Sequence, residues 1–218
     1  MEGVLGFLAG EAVIVDPAVV SGAACYKLLI GAVVPRPIAF VSSVSADGVR
    51  NLAPFSFFNA ICGEPPVICF SVSNREPRKD TLANVRATGE FVVNIVSEEI
   101  AAQMNLASGE YPAEVDEFDV SGLTAIASDL VKVPRVKESH VNMECRLMQV
   151  VEVSTRPRGG SLVIGEVLRF HVDDAVVHDF KIDPDKLRAV ARMGGDEYSR
   201  TRDRFSMHRP VVNQPVNR

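Results

Sequence analysis

The residues best suited to chemistry lie between Val34 and Ser73, in VPRPIAFVSSVSADGVRNLAPFSFFNAICGEPPVICFSVS. This run sets small hydroxyls and amides (Ser42, Ser43, Asn51, Ser56, Asn59, Ser71, Ser73) into an otherwise apolar stretch, with Phe55, Phe57 and Phe58 around Ser56. A planar, amphipathic ligand needs that mixture, apolar walls with a few donors and acceptors at the edge. The same hydroxyls would equally serve to bond local backbone at strand ends. A second candidate is NREPRKDTLANVRATGEF, where Arg75, Arg78 and Lys79 precede a helix start at Asp80–Thr81. Free N–H groups and the dipole at a helix N-terminus attract an anion, and adjacent cations deepen the well. Thr81 could add its hydroxyl, whereas the negative Asp80 fits a plain cap just as well. The third is His140, a proton-handling group or simply a satisfied surface side chain.

Other chemistries leave no trace. No G-x-G-x-x-G follows a strand, and no G-x-x-x-x-G-K-[ST], H-E-x-x-H or G-x-S-x-G occurs. His140, His171, His178 and His208 are not in ligand spacing, which argues against metal catalysis. A reaction without a protein nucleophile fits this silence, and hydride transfer through a flavin is one, because the cofactor carries the chemistry.

The elements that must position these residues are mostly strands. In HVNMECRLMQVVEV, Val141, Met143, Cys145, Leu147, Val151 and Val153 fall on one face, and His140, Asn142, Glu144, Arg146 and Glu152 on a wet one. SLVIGEVLRFHV repeats the pattern with Leu162, Ile164, Leu168, Phe170 and Val172, after a hairpin link at Pro157–Gly160. PIAFVSSVS, PVICFSVS and EFVVNIV add further β-rich runs. Helices are expected over TLANVRAT, stopping at Gly89, over SEEIAAQMNLAS with Ser97 as cap, and from Lys186 to Gly194–Gly195. Short strands with hairpin-like links predict a closed or partly closed antiparallel barrel carrying a few helices, in one domain over residues 1–218. SGEYPAEVDEFDVSG, with five acids and no base, reads as a solvated loop or a mobile lid. From Arg188 to Arg218, seven Arg against three acids could steer an anionic dinucleotide or form a subunit contact.

Composition bounds the function. The chain has 218 residues, 47% hydrophobic and 23% charged, which is globular rather than disordered. A net charge of -5, no Trp and 6% aromatics argue against a nucleic-acid binder. Cys25, Cys62, Cys69 and Cys145 form no C-x-x-C pair, and buried reduced thiols are expected. The N-terminal residues lack the basic region of a signal peptide and the stretch Leu28 to Val34 is too short for a span, so a cytoplasmic, membrane-free protein is expected.

Taken in order, VPRPIAFVSSVSADG, NLAPFSFFNA, EPPVICFS, RKDTLANVRATGEFVVNI and ESHVNMECRL resemble the flavin reductase-like family, in its flavoredoxin-type branch. The resemblance covers roughly Tyr26 to Val172, with a weaker echo in RMGGDEYSR. It implies a mainly β protein: an FMN-binding split β-barrel, six-stranded, antiparallel and Greek-key, with flanking helices, a barrel core about 26–180 and a C-terminal tail over 181–218. It implies a homodimer that binds FMN non-covalently near the subunit interface and reduces it with NADH or NADPH. The reduced flavin is then released to a partner monooxygenase, or stays bound and passes electrons on with little NAD(P)H turnover, as in an electron carrier. On this chain Arg36 and the strand holding Ser42 would flank the flavin, and Ala53, Ser56, Phe57, Phe58 and Asn59 would contact the ring edge and ribityl chain. Arg78, Lys79, Asp80 and Thr81 would hold the phosphate, His140 would sit near the flavin and Tyr198 would close over it. A pyridoxamine-phosphate oxidase-like enzyme on a related barrel would instead use Arg200, Arg202 and Arg204 for a second phosphate, and a cofactor-free barrel module is the plainest alternative.

Overall fold

The computed structural model describes residues 4–5, 12–74 and 80–210. Its main sheet is built from β1 (Ala39–Val44), β2 (Arg50–Phe55), β3 (Phe58–Gly63), β4 (Pro66–Ser73), β5 (Glu90–Ile95), β6 (Val141–Ser154) and β7 (Gly160–Val172). These seven segments lie in the order β2-β1-β5-β6-β7-β4-β3, every pair antiparallel. The two segments at the ends of that order, β2 and β3, are separated in the chain only by Ser56 and Phe57. They are halves of one bent strand, and the sheet therefore closes on itself as a six-stranded split barrel.

The interior is filled by alternate residues of each strand, among them Val41, Phe55, Phe70, Phe91, Val93, Cys145 and Val163. Phe70 meets Phe55 at 5.0 Å and the edge of Phe91 at 5.4 Å between centroids. Each such pair adds about 0.5–1.5 kcal/mol beyond the area it buries. Helix α2 (Asp80–Thr88) drives Val85 into the same core and ends, as its sequence predicts, at Gly89 with φ 73°.

The opposite parity of β1 and β2 faces outward into a second core. There Phe40 and Leu52 pack with Met104 of α3 (Ala101–Leu106), Phe118 of α4 (Glu117–Ser121) and Val190 of β8 (Val190–Arg192). The acidic stretch is thus neither a plain loop nor a lid at its centre. Asp116 caps α4 by accepting the Phe118 N–H at 2.9 Å and pairs with Arg50 at 2.5 Å, while Phe118 is buried.

Four other expectations are corrected. The helix from Lys186 to Gly194 is instead one turn, Pro184–Leu187, stopped by Arg188 at φ 50°; β8 then pairs with Arg36–Pro37 and with β9 (Tyr198–Arg200). On β7 the inward residues are Val163, Gly165 and Val167, the parity opposite to Leu162, Ile164 and Leu168. On β6 the supposedly wet Asn142 and Glu144 are buried under residues 129–136, and register shifts after Glu144 and Leu147 break the alternation, leaving Val153 exposed. Of the four free thiols Cys145 is buried, but Cys62 is exposed on the outer wall. The apolar stretch read only as too short for a span belongs to a helix, α1 (Gly22–Ala32), capped by Ser21. No helix among the described residues is long and apolar enough to cross a membrane.

Candidate functional site

The bend between β2 and β3 is set by what its neighbours bury. Phe55 and Phe58 both pack on the barrel core, so the two residues between them must turn outward. The Phe57 carbonyl accepts the Ser71 N–H at 2.8 Å, which fixes the corner, and its ring is left 38% exposed, 6.5 Å from that of Tyr26. Behind the corner lies Arg36. Its Nη1 donates to the carbonyls of Ile30 and Val33 at 2.8 and 2.7 Å, its Nη2 to the Met193 carbonyl at 2.8 Å and its Nε to Ser56 Oγ at 3.4 Å. A cation at the C-terminus of α1 is favourable against the helix dipole. Burial draws the Arg36 pKa below the ordinary guanidinium value, with Arg192 nearby adding to the effect, yet every acceptor around it is a neutral oxygen. The corner therefore combines an exposed aromatic face, a hydroxyl and an unneutralised positive charge 5.8 Å from the Phe57 ring. Asn59 continues the same outer surface on β3, exposed and opposite Cys69.

At the other end of β2 is the start of α2. Thr81 is buried and donates to Asn51 Oδ1 at 2.8 Å; Ser43 donates to the same oxygen at 3.2 Å, and Asn84 to Ser43 Oγ at 3.1 Å. Asn51 Nδ2 in turn donates to both oxygens of the buried Glu117 at 3.0 and 3.1 Å, and Glu117 also accepts the Leu52 N–H. This network locks the helix start onto the barrel. Its hub, Asn51, lies five residues from Ser56, about 16 Å along the strand. Asp80 stands half-buried at the first turn, and Arg75, Arg78 and Lys79 lie outside the described residues.

The remaining predicted residues fall elsewhere. Ala53 is part of the interior core. Ser42 is fully buried on the outward parity of β1, donating to the Pro134 carbonyl at 2.6 Å and accepting from Asn94 at 3.3 Å, so its hydroxyl serves the wall. His140 occupies the same end of the barrel as Ser56 but three strands round it, about 14 Å along the wall at ordinary strand spacing. Its Nδ1 meets Asp173 Oδ2 at 3.0 Å, at the edge of a cleft of about 580 Å³ that Arg135, Asn142 and His171 also line. Tyr198 lies on β9, its ring 4.6 Å from the Arg192 guanidinium.

Sequence reasoning missed two polar centres. Asn94 donates to the Phe40 carbonyl at 2.9 Å and accepts from the Val136 N–H and from Asn142, pinning residues 134–136 to the barrel. Glu144, fully buried, accepts the N–H groups of Asp129, Leu130 and Val131 at 2.8, 2.7 and 3.1 Å and meets His171 Nε2 at 2.5 Å. Burial pushes its pKa up, but the bonds from Asp129, His171, Leu130 and Val131 outweigh that and hold it at about 2. Asp129, Glu144 and His171 are close enough to share a cation. The chemistry opposes one: Glu144 has its acceptor sites filled, and Arg169 sits 2.7 Å from the Asp129 oxygen nearest His171. For Asn94 the available signal was a polar residue inside the apolar run EFVVNIV, whereas Glu144, on the polar parity of its strand, gave none.

The fold and the bent-strand corner define a split-barrel protein, and the comparisons with known proteins place it more closely. The flavin reductase-like domain family matches residues 31–182, and the chain belongs to that family. An uncharacterized protein of Aquifex aeolicus is 46% identical over 180 residues, covering 81% of this chain and 90% of its own. The crystal structure of nitrilotriacetate monooxygenase component B from Bacillus cereus superposes with a TM-score of 0.87 at 35% identity, over 91% of this chain and all 100% of that one. The 2-nitrobenzoate 2-nitroreductase of Pseudomonas fluorescens gives 0.81 at 30% identity, over 91% and 96%.

Proposed function

We propose that the protein is an NAD(P)H-dependent FMN reductase acting as a homodimer. The observation that carries this reading is the placement of two complementary half-sites at the two ends of β2. One is an aromatic corner backed by a buried cation, suited to a ring; the other is a braced helix start, suited to a phosphate. When bound, the flavin supplies a two-electron acceptor for the hydride. The chain's own residues then position it. Phe57 and Asn59 offer the outer wall, Ser56 a hydroxyl at the ring edge, and Arg36 a positive field without a counter-ion. Asp80 and Thr81 would present their backbone at the phosphate end, preceded in the sequence by the cationic Arg78 and Lys79, while Ala53 and Phe58 support the wall from within and Ser42 from its outer side.

Helix α1 supports the dimer. GAACYKLLIGA is strongly apolar, yet none of its residues is buried, and Leu28, Leu29, Tyr26 and the nearby Phe57 and Ile61 form an exposed apolar surface beside the corner. Such a surface is characteristic of an interface. Rate would come from alignment of donor and acceptor, and no acid–base pair is required. The monooxygenase component among the relatives makes delivery of reduced flavin to a separate cytoplasmic oxygenase a natural use of the product.

The test is the visible spectrum of the purified protein with FMN, followed anaerobically after NADH or NADPH. Bleaching, with steady oxidation of the nicotinamide when free FMN is added, is expected. A colourless protein that ignores FMN overturns the reading, and bound flavin without turnover reduces it to an electron carrier. Light scattering should give twice the chain mass.

A further inference from the structure

Beside α3 lies a second recess, of about 460 Å³, lined by Tyr198, Ala101, Ala102, Asn105, Arg200 and the two acids Glu98 and Glu99. Its shape and chemistry differ from the first half-sites: one aromatic ring, a floor of small side chains and an amide. The charge around it is unbalanced. Arg188, Arg200 and Arg202 all converge on the single carboxylate of Glu98, at 3.2, 3.1 and 2.8 Å, and Glu99 takes the other side of Arg188 at 2.6 Å. Three guanidiniums thus face two carboxylates. Arg192, which donates to the Tyr198 hydroxyl and the Gly195 carbonyl, adds a charge with no carboxylate partner among the described residues.

The recess is also connected to the corner. Tyr198 pairs with Arg192 and Arg192 with Arg36 across adjacent strands, so Tyr198 stands about 10 Å from Arg36. Arg36 reaches Ser56, and its own charge is met only by neutral oxygens. Arg192 and Arg36, each met only by neutral oxygens among the described residues, therefore carry positive charge from the recess to the exposed Phe57 ring.

We propose that this recess binds the adenosine-diphosphate end of the nicotinamide dinucleotide. The base lies against Tyr198, whose other face is held by Arg192, and the pyrophosphate lies along the cations toward the corner. The assignment rests on the reading of NAD(P)H as electron donor, and extends it to a site for the part of the donor that does not react.

The experiment uses ADP-ribose, which lacks the nicotinamide, with the full chain. Calorimetry is expected to show binding, and ADP-ribose to compete with NADH or NADPH. Arg200→Ala, at a guanidinium 71% exposed and so dispensable for folding, should weaken ADP-ribose binding and raise the KM for the donor at least five-fold without changing FMN affinity. Tyr198→Leu should act in the same direction. Arg146→Ala, which removes another exposed cation, on β6, should change neither. Absence of ADP-ribose binding, or equal losses in the Arg146 and Arg200 variants, overturns the proposal. Should the protein oxidise neither NADH nor NADPH, the reductase reading fails separately, and Arg200-dependent ADP-ribose binding would still uphold the recess as a nucleotide site.

Discussion

Replacing Glu144 by Gln should destabilise the barrel in a way that depends on pH. The carboxylate is fully buried and gathers three backbone N–H groups and His171, which hold its pKa at about 2 against an ordinary value of 4.5. A depressed carboxyl pKa means stability that is present above the unfolded value and lost as pH falls through the folded one. The shift corresponds to about 3 kcal/mol at pH 7 and to about 1.4 kcal/mol at pH 3. The amide of Gln keeps one oxygen but turns an NH2 group toward backbone donors, leaving them unmet at about 1–3 kcal/mol each, a range that brackets the first figure. Urea unfolding of both proteins should therefore differ by about 3 kcal/mol at pH 7, a Tm drop of roughly 6–12 °C, and by about half as much at pH 3. Because the variant does not titrate at this position, the difference isolates Glu144 from every other carboxylate. Equal stability at pH 7, or a gap that stays constant down to pH 3, would refute the electrostatic account.

Three further outcomes are expected. Gly165→Ala places a Cβ 2.4 Å from Phe91 Cζ in the middle of the core, so thermal unfolding should show a loss of about 1–3 kcal/mol. Asn51→Ala removes the partner of Thr81, Ser43 and Glu117 at once and should cost about 2–3 kcal/mol in denaturant unfolding, together with weaker FMN binding in a flavin titration. Lys79→Ala should weaken FMN binding by about 1.5–3 kcal/mol, the usual worth of a hydrogen bond to a charged group, and an unchanged affinity removes Lys79 from the site.

The barrel was legible because its strands alternate and its links carry turn residues, and α2 because Gly89 stops it, although Asp80 and Thr81, expected as caps, lie inside the helix. The faces of β7 were not. SLVIGEVLRFHV is apolar at both parities, and what chooses between them is Phe91, a distant residue whose ring requires the side chain opposite it to be absent, as Gly165 provides. The mid-strand glycine was the local clue. Likewise Arg188 to Arg192 carry no periodic signal that distinguishes helix from strand. Their extended form follows from pairing with Arg36–Pro37, which lies more than 150 residues earlier in the chain. Of the site, the segments could be read but not the roles. Arg36 and Ser42 look alike on paper as polar residues beside an aromatic run, whereas the folded chain turns one toward the corner and the other into the wall.

The bent strand that joins β2 to β3 has a consequence for how copies of this protein can meet. Because its first half pairs only with β1 and its second only with β4, each half keeps one edge whose N–H and C=O groups no other strand of the sheet takes up. Self-association can therefore draw on the open edge of the exposed β3 as well as on the side chains of α1, and single replacements at Leu28 or Leu29 alter the second without disturbing a rung of the ladder.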